Sequence, residues 1–228
     1  RPLVGQAGML KNGIFIINFY LKNKIDPFNV NGNTYKFMSE QSIAEEMFRS
    51  GVQYGYAKSR RHPSTTPYIF TTKNGVDIID IEKTQGLLDN ALEYIKTLGA
   101  SNKTILFVGT KPEASQQVVE VALSLGMPYV SERWVGGTIT NFAEIKKRIA
   151  KLLELREQKE NGGLDKYTKK EKILIDKEMK NMDSNFQGLV GMTRTPDVVF
   201  IVDPKKEHMA VMEAKKTEIP VVSVLNTD

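Results

Sequence analysis

A chain of 228 residues, 40% hydrophobic and 26% charged, carries enough apolar material for one good core and is far from the composition of a disordered polymer. It has no cysteine, which excludes disulfides and thiolate metal sites, and only His62 and His208 as histidines, too few for a histidine-rich metal centre. A net charge of +5 suits a polyanionic partner without requiring one.

The longest apolar run, Gly13 to Leu21, is interrupted by Asn18 and falls well short of the roughly 20 residues that cross a bilayer, so no membrane partner is expected. The chain begins with Arg1, and Met38 is followed by Ser39, Glu40 and a helical pattern; residues 1–37 are therefore expected to be a leader, extension or translated upstream stretch outside the fold. A short helix is predicted over Ser42 to Ser50, stopped by Gly51. After it comes a cationic, loop-like stretch with Lys58, Arg60, Arg61 and His62 ahead of Pro63, interleaved with Tyr54, Tyr56 and Tyr68.

Alternation of strand and helix follows. Val76 to Ile81 reads as a strand and Thr84 to Leu98 as a helix, with Leu88, Leu92 and Ile95 among its apolar positions. Thr104 to Val108 is a wholly apolar strand, Pro112 to Leu125 a helix opened by proline and stopped by Gly126, and Met127 to Val130 a short strand. Asp197 to Val202, Lys205 to Lys216 and Ile219 to Leu225 repeat the strand, helix, strand order. Strands this apolar are buried on both faces, which predicts a parallel sheet covered by helices.

Between these halves, Phe142, Ile145, Ile149 and Leu152, then Ile175, Met179, Met182, Phe186 and Leu189, step at heptad spacings. Asn161, Gly162 and Gly163 supply a turn, and Thr168 with Glu171 has the spacing of a capping box. The expectation is an antiparallel coiled-coil hairpin over 142–186, inserted into an α/β domain made of 38–141 and 187–228. From Glu144 to Lys180 the hairpin has twelve Lys or Arg against eight Asp or Glu. A solvated, salt-bridged pair of helices explains that pattern most plainly; an arm that grips RNA phosphates explains its protrusion as well.

Two loops invite a chemical reading. Gly109, Thr110 and Lys111 lie between a buried strand and a helix N-terminus, where free N–H groups attract phosphate, yet the spacing is neither a Walker A loop nor G-x-G-x-x-G, and a tight turn accounts for it equally well. Arg133 to Asn141 (RWVGGTITN) holds the only tryptophan and adjacent glycines, and is either a packed corner or a contact surface. Asp77, Asp80, Asp197 and Asp203 sit near strand ends without a convergent base, nucleophile or metal set. No catalytic residue, cofactor or small-molecule substrate is assigned.

RWVGGTITN, with TILFVGTK at 104 to 111, IFTTKNGVDIIDIEKT at 69 to 84 and PDVVFIVDPKKEHMAVMEAKKTEIPVV at 196 to 222, resembles the small-subunit ribosomal protein S2 family (uS2) in its bacterial or organellar form, from about Ser42 to Asp228. The resemblance implies a Rossmann-like (flavodoxin-like) parallel sheet flanked by helices with an inserted coiled-coil hairpin, which the archaeal and cytosolic eukaryotic members lack. It also implies a structural constituent of the small ribosomal subunit that binds rRNA between head and body, supports translation, and helps seat the large messenger-binding ribosomal protein. The RNA-contact candidates it carries over are Lys111, Arg133, Trp134, Asn141, Lys146, Lys147 and Arg148. This sequence departs from the family at Gln53-Tyr54-Gly55-Tyr56 and Arg61-His62-Pro63, where members have His-Phe-Gly-His and then Trp-Asn-Pro. It stops at Asp228 where members continue, so a C-terminally incomplete copy is expected. The rival reading from another class is a Rossmann-like nucleotide-binding protein or enzyme using Gly109 to Lys111.

Overall fold

The structure, a computed structural model, describes residues 40–228; the expected leader over 1–37 lies outside the described residues. Within them, 40–103 with 224–228 make one compact unit and 104–223 a second.

The first unit opens with helix α1 (Glu40–Arg49), whose Ile43 and Met47 are buried. Three strands, β1 (Tyr54–Ala57), β2 (Ile69–Lys73) and β3 (Val76–Ile79), form an antiparallel sheet in the order β1-β3-β2. The tight turn between β2 and β3 is Asn74-Gly75, with φ of 51° and 77°, the left-handed conformation that this dipeptide adopts most easily. Helix α2 (Ile81–Ala100) follows at once, because the Asp80 carboxylate accepts from the backbone N–H groups of Glu82 and Lys83 and caps its first turn. Asp77 is fully buried in this sheet and needs a partner there: Arg61 Nε donates to it at 2.7 Å, a second guanidinium nitrogen donates to its other oxygen, and the Thr72 hydroxyl adds a bond at 2.8 Å. Those bonds, Arg61's foremost, hold the Asp77 carboxyl below the ordinary carboxylate range against the opposing effect of burial. Thr227 closes the unit, its hydroxyl accepting from Tyr56 N–H at 2.9 Å and its carbonyl from His62 N–H at 2.8 Å.

The second unit is built on β4 (Ile105–Val108), β5 (Tyr129–Val130), β6 (Val198–Val202) and β7 (Val221–Val224), ordered β5-β4-β6-β7, with β4 parallel to both neighbours. Every residue of β4 and β6 is buried, as a sheet covered on both faces requires. Helix α3 (Pro112–Leu125) turns Ala114, Val118, Val121 and Ala122 inward. Helices α4 (Phe142–Glu160) and α5 (Lys169–Phe186) pack against each other and are joined by a short link containing a single 3-10 turn, Gly163–Lys166. Thr168 and Glu171 form both halves of the capping box. The base of this helical pair is continuous with the sheet core: Ile145, Ile149 and Leu152 of α4 and Phe186 of α5 share a buried cluster with Leu106 and Ile201. Burying such a side chain fully stabilises by roughly 1.5–3 kcal/mol, so the pair is fixed at its root by the same apolar positions that set its spacing. Helix α6 (His208–Lys216) completes the unit. Among the described residues no helix is long and apolar enough to cross a membrane.

The stretch read as a cationic loop contains β1, because YGYA is recruited by pairing with β3, a tertiary contact that its weak alternation does not announce. The helix expected from Lys205 begins at His208, since Asp203 adopts φ 63° and its carbonyl accepts from Lys206 and Glu207 in a turn.

Candidate nucleic-acid interface

The loop Arg133–Asn141 owes its shape to one side chain. Glu213, on the inward face of α6 with Ala210 and Ala214, is only 7% exposed. Its Oε1 accepts from Trp134 Nε1 at 3.0 Å and Gly137 N–H at 2.7 Å; its Oε2 accepts from the N–H groups of Ile139 at 3.0 Å and Thr140 at 3.1 Å, and from the Thr140 hydroxyl at 3.2 Å. Burial pushes this carboxyl upward, but the bonds from Trp134 and from the backbone of Ile139, Gly137 and Thr140 outweigh it and leave the group below its usual range. Gly137 has φ 91°, a conformation that a side chain would strain, and this lets consecutive N–H groups converge on the carboxylate. Sequence reasoning missed Glu213. The available signal was an acid sharing an i, i+3, i+4 face with two alanines.

The loop presents its remaining groups outward. Arg133 is exposed, Asn141 is exposed at the N-terminus of α4, and Trp134 is held in the core at 9% exposure. Along α4, Lys146, Lys147 and Arg148 are all exposed, with Lys147 paired to Glu144 at 2.6 Å. Part of the helical pair's charge is consumed internally: Lys151 meets Glu178 at 2.6 Å, Arg156 meets Asp183 at 2.6 Å and Lys159 meets Asp176 at 2.7 Å, each across the two helices. Exposed pairs of this kind are screened by water and salt and contribute little to stability. Arg133, Lys146, Arg148 and Lys177 have no salt-bridge partner among the described residues.

These elements enclose a groove of about 690 Å³ between the loop and the helical pair. Its cations are Arg133, Arg148, Lys151 and Lys177, against Glu178 as its acid. Its apolar lining comes from Trp134, Val135, Leu174, Met182 and Phe186. Of the predicted contact residues, the structure brings Arg133, Trp134 and Arg148 together in this groove, with Asn141, Lys146 and Lys147 on the adjoining start of α4.

Lys111 stands elsewhere, before α3 at the C-terminal edge of β4, with its ammonium ion-paired to Asp203. Beside it, buried Glu207 accepts from the backbone N–H of Thr110 at 3.1 Å and from its hydroxyl. In open α/β sheets this is where a ligand phosphate would sit. Here the protein's own carboxylates, Asp203 and Glu207, take the donors that a phosphate would need, and their charge would repel one.

Comparison with known proteins adds a family to this geometry. A profile of the family described as ribosomal protein S2 matches residues 47–228. The chain is 42% identical over 183 residues to the small ribosomal subunit protein uS2 of Chloroflexus aurantiacus, an alignment covering 80% of this chain and 77% of that one. It is 40% identical over 184 residues to the uS2 of Rhodococcus opacus, covering 81% and 64%, and 42% identical over 184 residues to that of Pseudarthrobacter chlorophenolicus, covering 80% and 63%.

Proposed function

Because the chain belongs to the ribosomal protein S2 family, we propose that it serves as a structural constituent of the small ribosomal subunit and binds small-subunit rRNA through the groove and the exposed cationic side of α4. The observation that carries the assignment of the surface is the convergence of Arg133, Arg148 and Lys177 on one groove, one wall of which is the loop held by the buried Glu213 anchor. A cation held in place by a rigid loop neutralises a phosphate without first being ordered, and the counterions displaced from the RNA supply most of the driving force.

In this reading α4 and α5 form an inserted antiparallel coiled-coil arm, residues 142–186, that extends the RNA surface of the α/β domain. Arg133, Asn141, Lys146, Lys147 and Arg148 meet the sugar-phosphate backbone directly. Trp134 acts by fixing the loop that carries Arg133, and Lys111 reaches RNA only by leaving Asp203. The protein bridges head and body of the subunit and touches neighbouring ribosomal proteins, the large messenger-binding protein among them. Its setting is a ribosome of the bacterial cytoplasm, or of an organelle. The role is structural, with no chemical step; translation is the activity of the assembled ribosome.

The test is binding of the full chain to a small-subunit rRNA fragment over a salt series. Affinity should fall steeply with salt, and Arg148→Glu with Lys177→Glu should weaken it and flatten the slope by roughly one unit per lost phosphate contact. An affinity unchanged by salt and by both reversals would reject the surface.

A further inference from the structure

The groove contains more than phosphate recognition needs. A flat field of lysines is enough to hold a backbone, whereas here the cations rim an apolar lining, and Leu174 leaves 58% of its surface in water on that lining. Asn181 and Asn185, on the same face of α5 as Leu174, add side-chain amides that both donate and accept. The volume of about 690 Å³ falls in the range of about 300–1,000 Å³ typical of sites that enclose a small ligand.

We infer that this groove receives one unstacked nucleotide of single-stranded or bulged RNA, its base on the apolar lining of Leu174 and Met182 and its flanking phosphates on Arg133, Arg148 and Lys177. The inference rests on the rRNA-binding reading and specifies the ligand of that same site. Duplex RNA hides the faces of its bases, so only a nucleotide displaced from the stack can cover the exposed Leu174 and the half-buried Met182 while keeping its phosphates beside the rim. The charge selects a polyanion, and the apolar lining between the cations selects an unpaired base over a helix. Asn181 and Asn185 supply polar groups to the same lining, Asn185 already donating one amide hydrogen to the Asn181 carbonyl at 2.7 Å.

Three labelled RNAs of matched length test this with the full chain: a perfect duplex, the same duplex with a single-nucleotide bulge, and that bulge with its base removed. The bulged RNA should bind roughly ten-fold more tightly than either of the others, the effect of taking about 55 Å² of apolar surface out of water. Leu174→Ser should abolish the preference, so that the bulged RNA binds the variant no more tightly than the duplex does. Leu174 is exposed, so the variant folds, as circular dichroism will confirm. Equal binding of bulged and abasic RNA, still salt-steep, would overturn the base site and leave the rRNA reading standing. If no RNA binds with a steep salt dependence, the rRNA reading itself fails. Displacement of every RNA by a tighter-binding acidic amphipathic peptide would assign the groove to a protein and overturn the inference.

Discussion

Replacing Glu213 by alanine removes the acceptor for four buried or half-buried N–H donors at once: Trp134 Nε1 and the backbone amides of Gly137, Ile139 and Thr140. Each unsatisfied buried donor costs about 1–3 kcal/mol, and because the loop relaxes and admits water these penalties do not add in full, so a loss of about 3–5 kcal/mol is expected. For a chain of this size 1 kcal/mol shifts Tm by about 2–4 °C, which puts the shift at roughly 6–20 °C. Glu213→Gln keeps one acceptor oxygen and turns an amide donor toward the others, so it should lose about half as much. Trp134 is the only tryptophan, so its fluorescence reports this loop alone, alongside circular dichroism for the whole chain. The pH dependence has a definite sign. The folded carboxyl of Glu213 lies below its unfolded value, so its contribution is complete above the unfolded pKa and is lost as pH falls through the folded one. The gap in Tm between the parent and Glu213→Gln should therefore narrow on acidification. A Tm for Glu213→Ala within 2 °C of the parent, or a gap that widens in acid, would refute the anchor.

Gly188 faces the carbonyl oxygen of Tyr129, and an added Cβ would come to 2.2 Å from it, so Gly188→Ala should destabilise by at least the roughly 1–3 kcal/mol of an overpacked core, read as a lowered urea midpoint at unchanged m. Arg61→Gln should destabilise the first unit by leaving the Asp77 carboxylate with only the Thr72 hydroxyl as a side-chain partner, and since the Asp77 carboxyl is held low chiefly by Arg61, the parent's advantage in Tm should vanish as pH falls through that depressed value; a flat pH profile of the difference would contradict the pairing. ATP or GTP at millimolar concentration should leave Tm unchanged, because Asp203 and Glu207 engage the donors around Thr110 and Lys111; a rise of several degrees would reopen the nucleotide-binding alternative.

Much of the second unit was legible from local chemistry. The continuous apolar runs of β4 and β6 announce buried strands, Pro112 and Gly126 bound α3 at the residues where it begins and stops, and Thr168 with Glu171 marks the start of α5. The three-stranded sheet was half legible: Asn74-Gly75 is a strong hairpin signal, but β1 depends on pairing with a strand some twenty residues away. The site resisted more. Arg133 and the lysines of α4 can be suspected from charge, but the Glu213 anchor joins residues more than seventy positions apart, and nothing local in RWVGGTITN asks for it. Lys111 shows the converse. Its helix-start position suggests phosphate, and only the fold brings Asp203 alongside it.

A small-subunit component held by its cationic surface should travel with the subunit and leave it as salt rises. The most direct test is sedimentation of the tagged full chain with small subunits depleted of their own S2 protein, followed by a rising salt wash. One copy per subunit is expected at low salt and release as salt rises, with earlier release for the Arg148→Glu, Lys177→Glu chain. A folded chain that stays in the supernatant at every salt concentration would contradict this role.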